Sequence, residues 1–290
     1  MASAPAEFPL PDRIRPCVGL ALGGGSARGW AHIGVIRELE ALGIEVHLVA
    51  GTSIGALVGA IHAGGQLGEF EAWVTGLTRK TVFSLMDFQF GGGVLKGSRL
   101  MDFFRTRFHD RDIQDLGLPF AATATALHTG AEVWLRSGST LDAVRASIAL
   151  PGLFTPVLYG GRLLVDGGLV NPVPVSLARA MEADVVIAVD LASELPARGA
   201  PQGATDAATD AAGWPSMMAV IASSIDIMQI RISRSRMAGD PPDAIIRPRV
   251  AHIGILDFHR APEAIEAGRQ AVREALPALR PRLGLDAPDA

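Results

Sequence analysis

Twice within the first 65 residues, a short apolar run ends in a glycine-rich turn and is followed by a helical pattern. The first run covers residues 18–22 and stops at three consecutive glycines, 23–25. The second covers residues 46–50 and passes through a turn at 51–53 into a helical pattern over 54–63. Two successive strand–turn–helix units predict a parallel sheet with right-handed crossovers. Because the active sites of such sheets lie at the carboxyl ends of the strands, both glycine turns stand where a site is expected.

The rest of the chain continues the alternation of strands and helices, without an internal repeat. Further strands are predicted over residues 120–127, 132–135, 162–165, 185–190 and 244–246. Further helices are predicted over residues 70–77, 140–150, 173–181, 217–232 and 262–276. The proline-rich residues 1–16 are predicted as a flexible tail that precedes a single α/β domain over 17–290. Residues 192–213 contain one leucine and no other large apolar side chain, which predicts a mobile surface loop within that domain.

Composition narrows the classes of function that such a chain can have. Apolar residues make up 49% of the chain, enough for a sizeable core, and the net charge is −4. The chain therefore has no basic surplus to drive non-specific binding to nucleic acid or to anionic lipid. Its one cysteine, Cys17, excludes an internal disulfide. The most apolar stretch, residues 48–61, is too short to span a bilayer, and no signal-peptide pattern is visible, so we expect a cytoplasmic protein.

Residues 51–55 read GTSIG, a G-x-S-x-G sequence placed between a predicted strand and a predicted helix. The two glycines permit a strained turn that presents the Ser53 hydroxyl clear of the backbone. At the start of a helix, the dipole and the free N–H groups favour the negative charge that develops when a serine attacks a carbonyl. Ser53 is therefore predicted as a nucleophile, and the alternative is a tightly packed crossover that contains an incidental serine.

The earlier glycine turn, residues 22–29 with sequence LGGGSARG, also joins a strand to a helix. Its glycines allow backbone N–H groups to approach an oxyanion closely, which favours an oxyanion hole over a simple packed turn. A dinucleotide site requires G-x-G-x-x-G, but Arg28 stands where the third glycine should be, and Glu45 precedes the second strand instead of ending it. A Walker loop requires G-K-[ST], which does not follow. We therefore expect no cofactor, and we expect Arg28 to bind turn carbonyls or an acidic partner.

A serine nucleophile needs a base, and the first candidate is Asp166, which ends a predicted strand and precedes two glycines. A carboxylate serves as the base only if burial raises its pKa above the usual value of about 3.9. The alternative is a triad in the order Ser–Asp–His, with His252 or His259 as its histidine. A third interpretation gives Asp166 only a turn-forming role. No group of His, Cys, Asp and Glu has metal-ligand spacing, so no metal is expected.

Three motifs in this order resemble those of the patatin-like phospholipases, above all the bacterial members akin to the catalytic domain of neuropathy target esterase. They are residues 23–29 (GGGSARG), 51–55 (GTSIG) and 166–168 (DGG). The run ASIALPGLF at 146–154 strengthens the resemblance. The similarity covers about residues 16–190 well and the C-terminal third loosely.

The resemblance implies a three-layer α/β/α sandwich with a mainly parallel central sheet. It further implies hydrolysis of phospholipid or lysophospholipid acyl esters by a Ser–Asp dyad that uses neither histidine nor a cofactor. Carried over by position, Ser53 is the nucleophile and Asp166 is the base. The oxyanion hole is carried over to the backbone N–H groups of Gly24, Gly25 and Ser26, with Arg28 as their support.

Two alternatives to a Ser–Asp lipid hydrolase remain at this stage. One is a conventional Ser–His–Asp esterase that acts on small soluble esters. The other is a catalytically idle relative that binds acyl chains or a protein partner and keeps only the fold. A fluorophosphonate probe that labels Ser53 separates the second alternative from an enzyme.

Two apolar segments bear on where a lipid lies. The apolar residues within 82–94 can line or cover an acyl channel, or they can be ordinary core. The helix at 217–232 can lie on a membrane surface, with the arginines near its end towards the lipid head groups. The protein would then bind the inner membrane face peripherally and transiently. Ser224 and Asp226 interrupt its apolar face, which favours plain packing.

Overall fold

A central sheet of eight strands organises the computed structural model, which describes residues 16–85, 97–108, 110–192 and 217–285. The strands are β1 (Val18–Leu22), β2 (Leu48–Thr52), β3 (Phe120–Ala126), β4 (Glu132–Leu135), β5 (Val157–Tyr159), β6 (Arg162–Asp166), β7 (Val185–Val189) and β8 (Ala244–Ile246). The α-helices of these residues are α1 (Ala31–Ala41), α2 (Ile54–Ala63), α3 (Leu67–Thr75), α4 (Arg79–Leu85), α5 (Ser98–Arg107), α6 (Thr140–Ser147), α7 (Val175–Ala180), α8 (Met217–Gly239) and α9 (Ala261–Arg282).

The strands follow the order β5-β6-β3-β2-β1-β7-β8, and β4 also pairs with β3. Every pairing from β3 across to β8 is parallel, whereas β4, β5 and β6 join by antiparallel pairings. The predicted, mainly parallel sheet is therefore confirmed. Leu22 at the end of β1 is level with Gly51 of β2 and with Val189 of β7. This register places the two glycine turns side by side at one edge of the sheet.

Side chains alternate between the two faces along each strand, so the apolar strands present apolar side chains on both faces. Helices cover both faces and bury these side chains. Leu20 and Leu22 of β1 belong to a large core cluster with side chains of α1, α2 and α9. Ala21, between them, belongs to a smaller cluster with side chains of α7. The α/β fold with helices on both sides agrees with the layered sandwich that the resemblance implies.

Three elements were not expected from the sequence: β5, α4 and α5. Some predicted boundaries were also wrong: α8 continues beyond residue 232 to Gly239, and α9 continues beyond residue 276 through two prolines to Arg282. An interior proline costs a helix about 3 kcal/mol. Here the last turns bury Leu279 completely and Leu283 almost completely. Burial of two leucines is worth about 1.5–3 kcal/mol each, which offsets much of the cost of the two prolines.

Several predictions fall outside the residues that the structure describes. They include nearly all of the predicted tail at 1–16, most of the predicted loop at 192–213, and residues 86–94 of the apolar segment. Of the helices in the described ranges, none combines the length and the apolar character that crossing a membrane requires.

Candidate active site

Ser53 lies between the last residue of β2 and the first residue of α2, in a conformation that L-residues seldom adopt. Its φ is 56° and its ψ is −125°. Close packing imposes this turn, because a side chain at Gly55 would overlap the carbonyl oxygen of Leu22, and one at Gly51 would overlap the backbone of Ala56. Such local strain persists only where the surroundings dictate it, and it concentrates at functional sites. The predicted strained turn is confirmed.

The side chains of Ser53 and Asp166 meet directly. The Ser53 hydroxyl Oγ donates a hydrogen bond of 2.6 Å to Asp166 Oδ2. The other carboxylate oxygen, Oδ1, accepts a hydrogen bond of 2.7 Å from the N–H of Gly168. Asp166 therefore forms the turn that one interpretation assigned to it, and it also binds the candidate nucleophile with its second oxygen.

Burial gives the Asp166 carboxylate the character of a base. The side chain is fully buried at the end of β6, and this loss of solvation raises its pKa to about 6. The hydrogen bonds from Ser53 and Gly168 favour the ionised form and limit the rise in pKa. A carboxyl with such a pKa is ionised at neutral pH, yet it accepts a proton more readily than a carboxyl in water.

The backbone around both residues is held by buried hydroxyl groups that sequence reasoning did not identify. The Ser53 N–H donates to Ser147 Oγ (2.8 Å), and that hydroxyl donates to the carbonyl of Thr123 (2.7 Å). Thr125 Oγ1 donates to the Asp166 carbonyl at 2.8 Å. Ser147 lies in the run 146–154 that strengthened the resemblance, but nothing in that run indicates which backbone group its hydroxyl reaches.

Ser147→Ala is expected to destabilise the protein by about 1–3 kcal/mol, because it leaves the partly buried N–H of Ser53 without this acceptor. The turn would also be held less firmly, so activity should fall by about tenfold. Urea unfolding measures the first effect and ester hydrolysis measures the second. Ser84→Ala is the matched control, since among the described residues that exposed hydroxyl bonds only the Thr81 carbonyl within its own helix. Equal stability of the two variants would contradict the role of Ser147.

The glycine loop lies against Ser53, and a Cβ at Gly24 would stand only 3.5 Å from Ser53 Cβ. The N–H of Gly24 donates to the carbonyl of Pro172 at 2.9 Å, so the fold already uses this predicted oxyanion donor. The N–H groups of Gly25 and Ser26 have no acceptor in the described part of the chain. Ser26 has a left-handed φ of 52°, and its hydroxyl donates to the Ile255 carbonyl at 2.6 Å.

Arg28 fixes this loop to the C-terminal third of the chain. Its Nε donates to the carbonyl of Ile253 at 2.9 Å, and a terminal guanidinium nitrogen bonds Asp226 Oδ2 at 3.2 Å. Both partners are of the kinds expected, a turn carbonyl and an acidic side chain. Burial raises the pKa of Asp226, and the Arg28 charge opposes that rise.

Comparison with known proteins agrees with this geometry. The family model of the patatin-like phospholipases matches residues 20–179, a range that holds the glycine loop, Ser53 and Asp166. The chain belongs to this family. An NTE family protein of Mycobacterium tuberculosis is 33% identical over 343 aligned residues, which cover 95% of each chain. Lysophospholipase nte1 of Aspergillus fumigatus is 35% identical over 191 residues, covering 61% of this chain and 12% of that protein.

Among solved structures, VipD from Legionella pneumophila aligns with this patatin-like chain at a TM-score of 0.47 and 12% identity. The alignment covers 91% of this chain and 67% of that one. The family model and the NTE relatives confirm the resemblance to patatin-like phospholipases and to the neuropathy target esterase branch. The family and its NTE relatives also support the expectation that the chain is a lipid esterase.

Neither of the two histidines singled out by the sequence, nor His32 beneath the glycine loop, bonds Ser53 or Asp166 in this patatin-like site. His252 Nε2 is 2.6 Å from Glu263 Oε1, and His259 Nε2 accepts a hydrogen bond of 3.2 Å from Arg79. His32 is fully buried, its Nε2 lies 2.7 Å from the Gly23 carbonyl, and burial lowers its pKa to about 4. His32 thus stays neutral under the glycine loop.

Ser53, Gly25 and Ser26 line a cavity whose other walls are mostly apolar. Several helices and loops contribute apolar side chains to these walls, among them Leu57, Trp73, Val82, Phe104, Leu153 and Phe258. Of the apolar segment at 82–94, Val82 lines the cavity and Phe83 is 65% exposed. Helix α8 closes another side with residues 225, 226 and 229, which agrees with the interpretation of that helix as a packed element.

Proposed function

We propose that this patatin-like protein hydrolyses the acyl esters of phospholipids or lysophospholipids through an acyl-enzyme on Ser53. The observation that carries the proposal is the direct 2.6 Å hydrogen bond from Ser53 Oγ to the buried Asp166 carboxylate. This hydrogen bond lies at a strained strand-to-helix turn, the geometry by which hydrolases expose a nucleophilic serine. No histidine is needed between the two groups, because Asp166 is itself within proton-transfer distance.

The first half-reaction uses Asp166 as the base. Its carboxylate accepts the hydroxyl proton of Ser53 while Oγ attacks the ester carbonyl. The N–H groups of Gly25 and Ser26 are the proposed donors to the resulting oxyanion, and loss of one such donor typically costs 10²–10³-fold in turnover. Arg28 supports them by holding the loop in place. The alcohol portion leaves with the proton from Asp166, and the acyl group stays on Ser53.

The apolar cavity supports a long acyl chain as the part of the substrate that is recognised. Its lining buries alkyl groups favourably, at about 0.8 kcal/mol per methylene, and Ser53 stands at one wall. A fungal relative, Lysophospholipase nte1, acts on lysophospholipids by its name. Lysophospholipids are therefore the first substrate class to test.

The test is fatty-acid release from palmitoyl lysophosphatidylcholine by the wild type and by the His252→Ala/His259→Ala double variant. Both histidines bond only surface groups, so the two proteins should release fatty acid at rates within about twofold. Loss of release in a folded double variant would favour the Ser–His–Asp esterase. No release from the wild type, even with p-nitrophenyl butyrate, would favour the idle acyl-binding relative.

A further inference from the structure

One buried amide in the cavity has no role in the proposed first half-reaction. Gln229 lies on α8, is only 8% exposed and lines the cavity together with Ser53. Its side chain makes no hydrogen bond within the described residues. The amide is not fully enclosed by protein atoms, and a polar group left without a protein partner at a cavity wall normally binds water. The amide is therefore available to a ligand in the cavity.

Gln229 lies beside the carboxylate that acts as the base. A Cβ at Gly168 would overlap Gln229 Nε2 and would stand 3.0 Å from Asp166 Oδ1. The amide nitrogen and this carboxylate oxygen therefore both lie against Gly168, and only a glycine at this position leaves room for the amide. They do not bond each other, since the donors to Asp166 are Ser53 and the Gly168 N–H. One water between them can bond both groups at about 2.8 Å each.

Two other polar side chains that line the cavity, those of Asp226 and Ser26, are already engaged. Asp226, one helical turn before Gln229, is paired with Arg28. The hydroxyl of Ser26 donates to a carbonyl. Gln229 is thus the polar side chain of the cavity wall that is left to hold a water, and as a neutral amide it does so without opposing the charge on Asp166.

We propose that Gln229 positions the water that hydrolyses the acyl-enzyme, an inference that rests on the proposed function above. In this second half-reaction Asp166 takes a proton from the water, and the water oxygen bonds to the acyl carbon. The bond from that carbon to Ser53 Oγ then breaks, and Oγ recovers the proton from Asp166. The products are the free fatty acid and the original enzyme.

Removal of the amide should slow the second half-reaction more than the first. In Gln229→Leu, which keeps the side chain's bulk but cannot bond water, stopped-flow measurement with p-nitrophenyl butyrate should show a burst of about one p-nitrophenol per active site. The subsequent steady-state rate should fall by about tenfold or more, while the burst rate stays within a few-fold of the wild type. Intact-protein mass spectrometry should detect the accumulated butyryl adduct.

Met228→Leu is the matched control, because Met228 is the preceding residue of α8 and is 48% exposed. It should behave as the wild type does. Equal loss of burst rate and steady-state rate in Gln229→Leu would indicate a packing role and overturn the inference, as would unchanged kinetics. If the wild type itself releases no p-nitrophenol, the proposed function fails and the inference fails with it.

Discussion

Ser53→Ala is expected to reduce fatty-acid release to the background rate, a fall of about 10⁵–10⁶-fold when the nucleophile of a serine hydrolase is removed. The reason is that, among the hydroxyl groups of the described residues, only that of Ser53 bonds the Asp166 carboxylate. The Ser53 side chain bonds the buried carboxylate, and the strained turn presents it to the cavity. Without Oγ no acyl-enzyme can form. The remaining polar groups can then only weakly accelerate the direct attack of water on the ester.

Labelling with a fluorophosphonate probe measures the same prediction without a lipid. The wild type should gain one phosphonate group on the peptide that contains Ser53, and Ser53→Ala should gain none. Ser224→Ala is the control, because its exposed hydroxyl bonds only the Val220 carbonyl within α8. It should be labelled as the wild type is. Absence of labelling in the wild type would indicate the idle relative, and labelling that survives Ser53→Ala would place the nucleophile elsewhere.

The sequence predicted those parts of the candidate site that depend on local geometry. A G-x-S-x-G sequence between a strand and a helix determines the turn at Ser53, since the close contacts of Gly51 and Gly55 are made with residues just along the chain or on the adjacent strand. Asp166 was the first candidate base from its place at a strand end, but the choice of a Ser–Asp pair over a triad required the family resemblance, because the two residues lie 113 positions apart and only the sheet brings them together.

Groups that act through distant backbone contacts could not be read from the sequence. Gly24 looks like an oxyanion donor in the motif, but its N–H is bonded to Pro172, far along the chain. Ser147 and Gln229 carry no motif of their own, and their positions depend on how α6 and α8 pack beside Ser53 and Asp166. Periodicity likewise predicted most strands of the sheet but not β5, which has three residues and pairs with β6 through a tight turn.

Asp166→Asn is expected to lower activity by about 10²–10⁴-fold, because an amide cannot accept the Ser53 proton. The wild type should show the matching pH dependence. The Asp166 pKa of about 6 requires kcat/KM to fall about tenfold per pH unit below that value, as the base becomes protonated.

The same substitution should make the protein more stable at neutral pH. Burial raises the Asp166 pKa from 3.8 to about 6, so folding favours the protonated acid. Its contribution to stability is fully present below pH 3.8 and is lost as the pH rises through about 6. Above that value the ionised carboxylate costs the wild type about 3 kcal/mol, which the neutral asparagine avoids.

Poorer hydrogen bonds to Ser53 and Gly168 offset part of that gain, so a net increase of about 1–2 kcal/mol in the free energy of unfolding is expected at pH 7.5. At pH 4 the wild-type carboxyl is protonated in the folded state, and the advantage of Asp166→Asn should disappear. Urea unfolding of both proteins at the two pH values measures this. Asp102→Asn, which removes a 74% exposed carboxylate, should show no such pH dependence. The contrary result is an Asp166→Asn variant that is less stable than the wild type by the same amount at both pH values. It would mean that burial does not raise the pKa of the Asp166 carboxyl. The case for Asp166 as the base would then rest on the 2.6 Å contact with Ser53 alone.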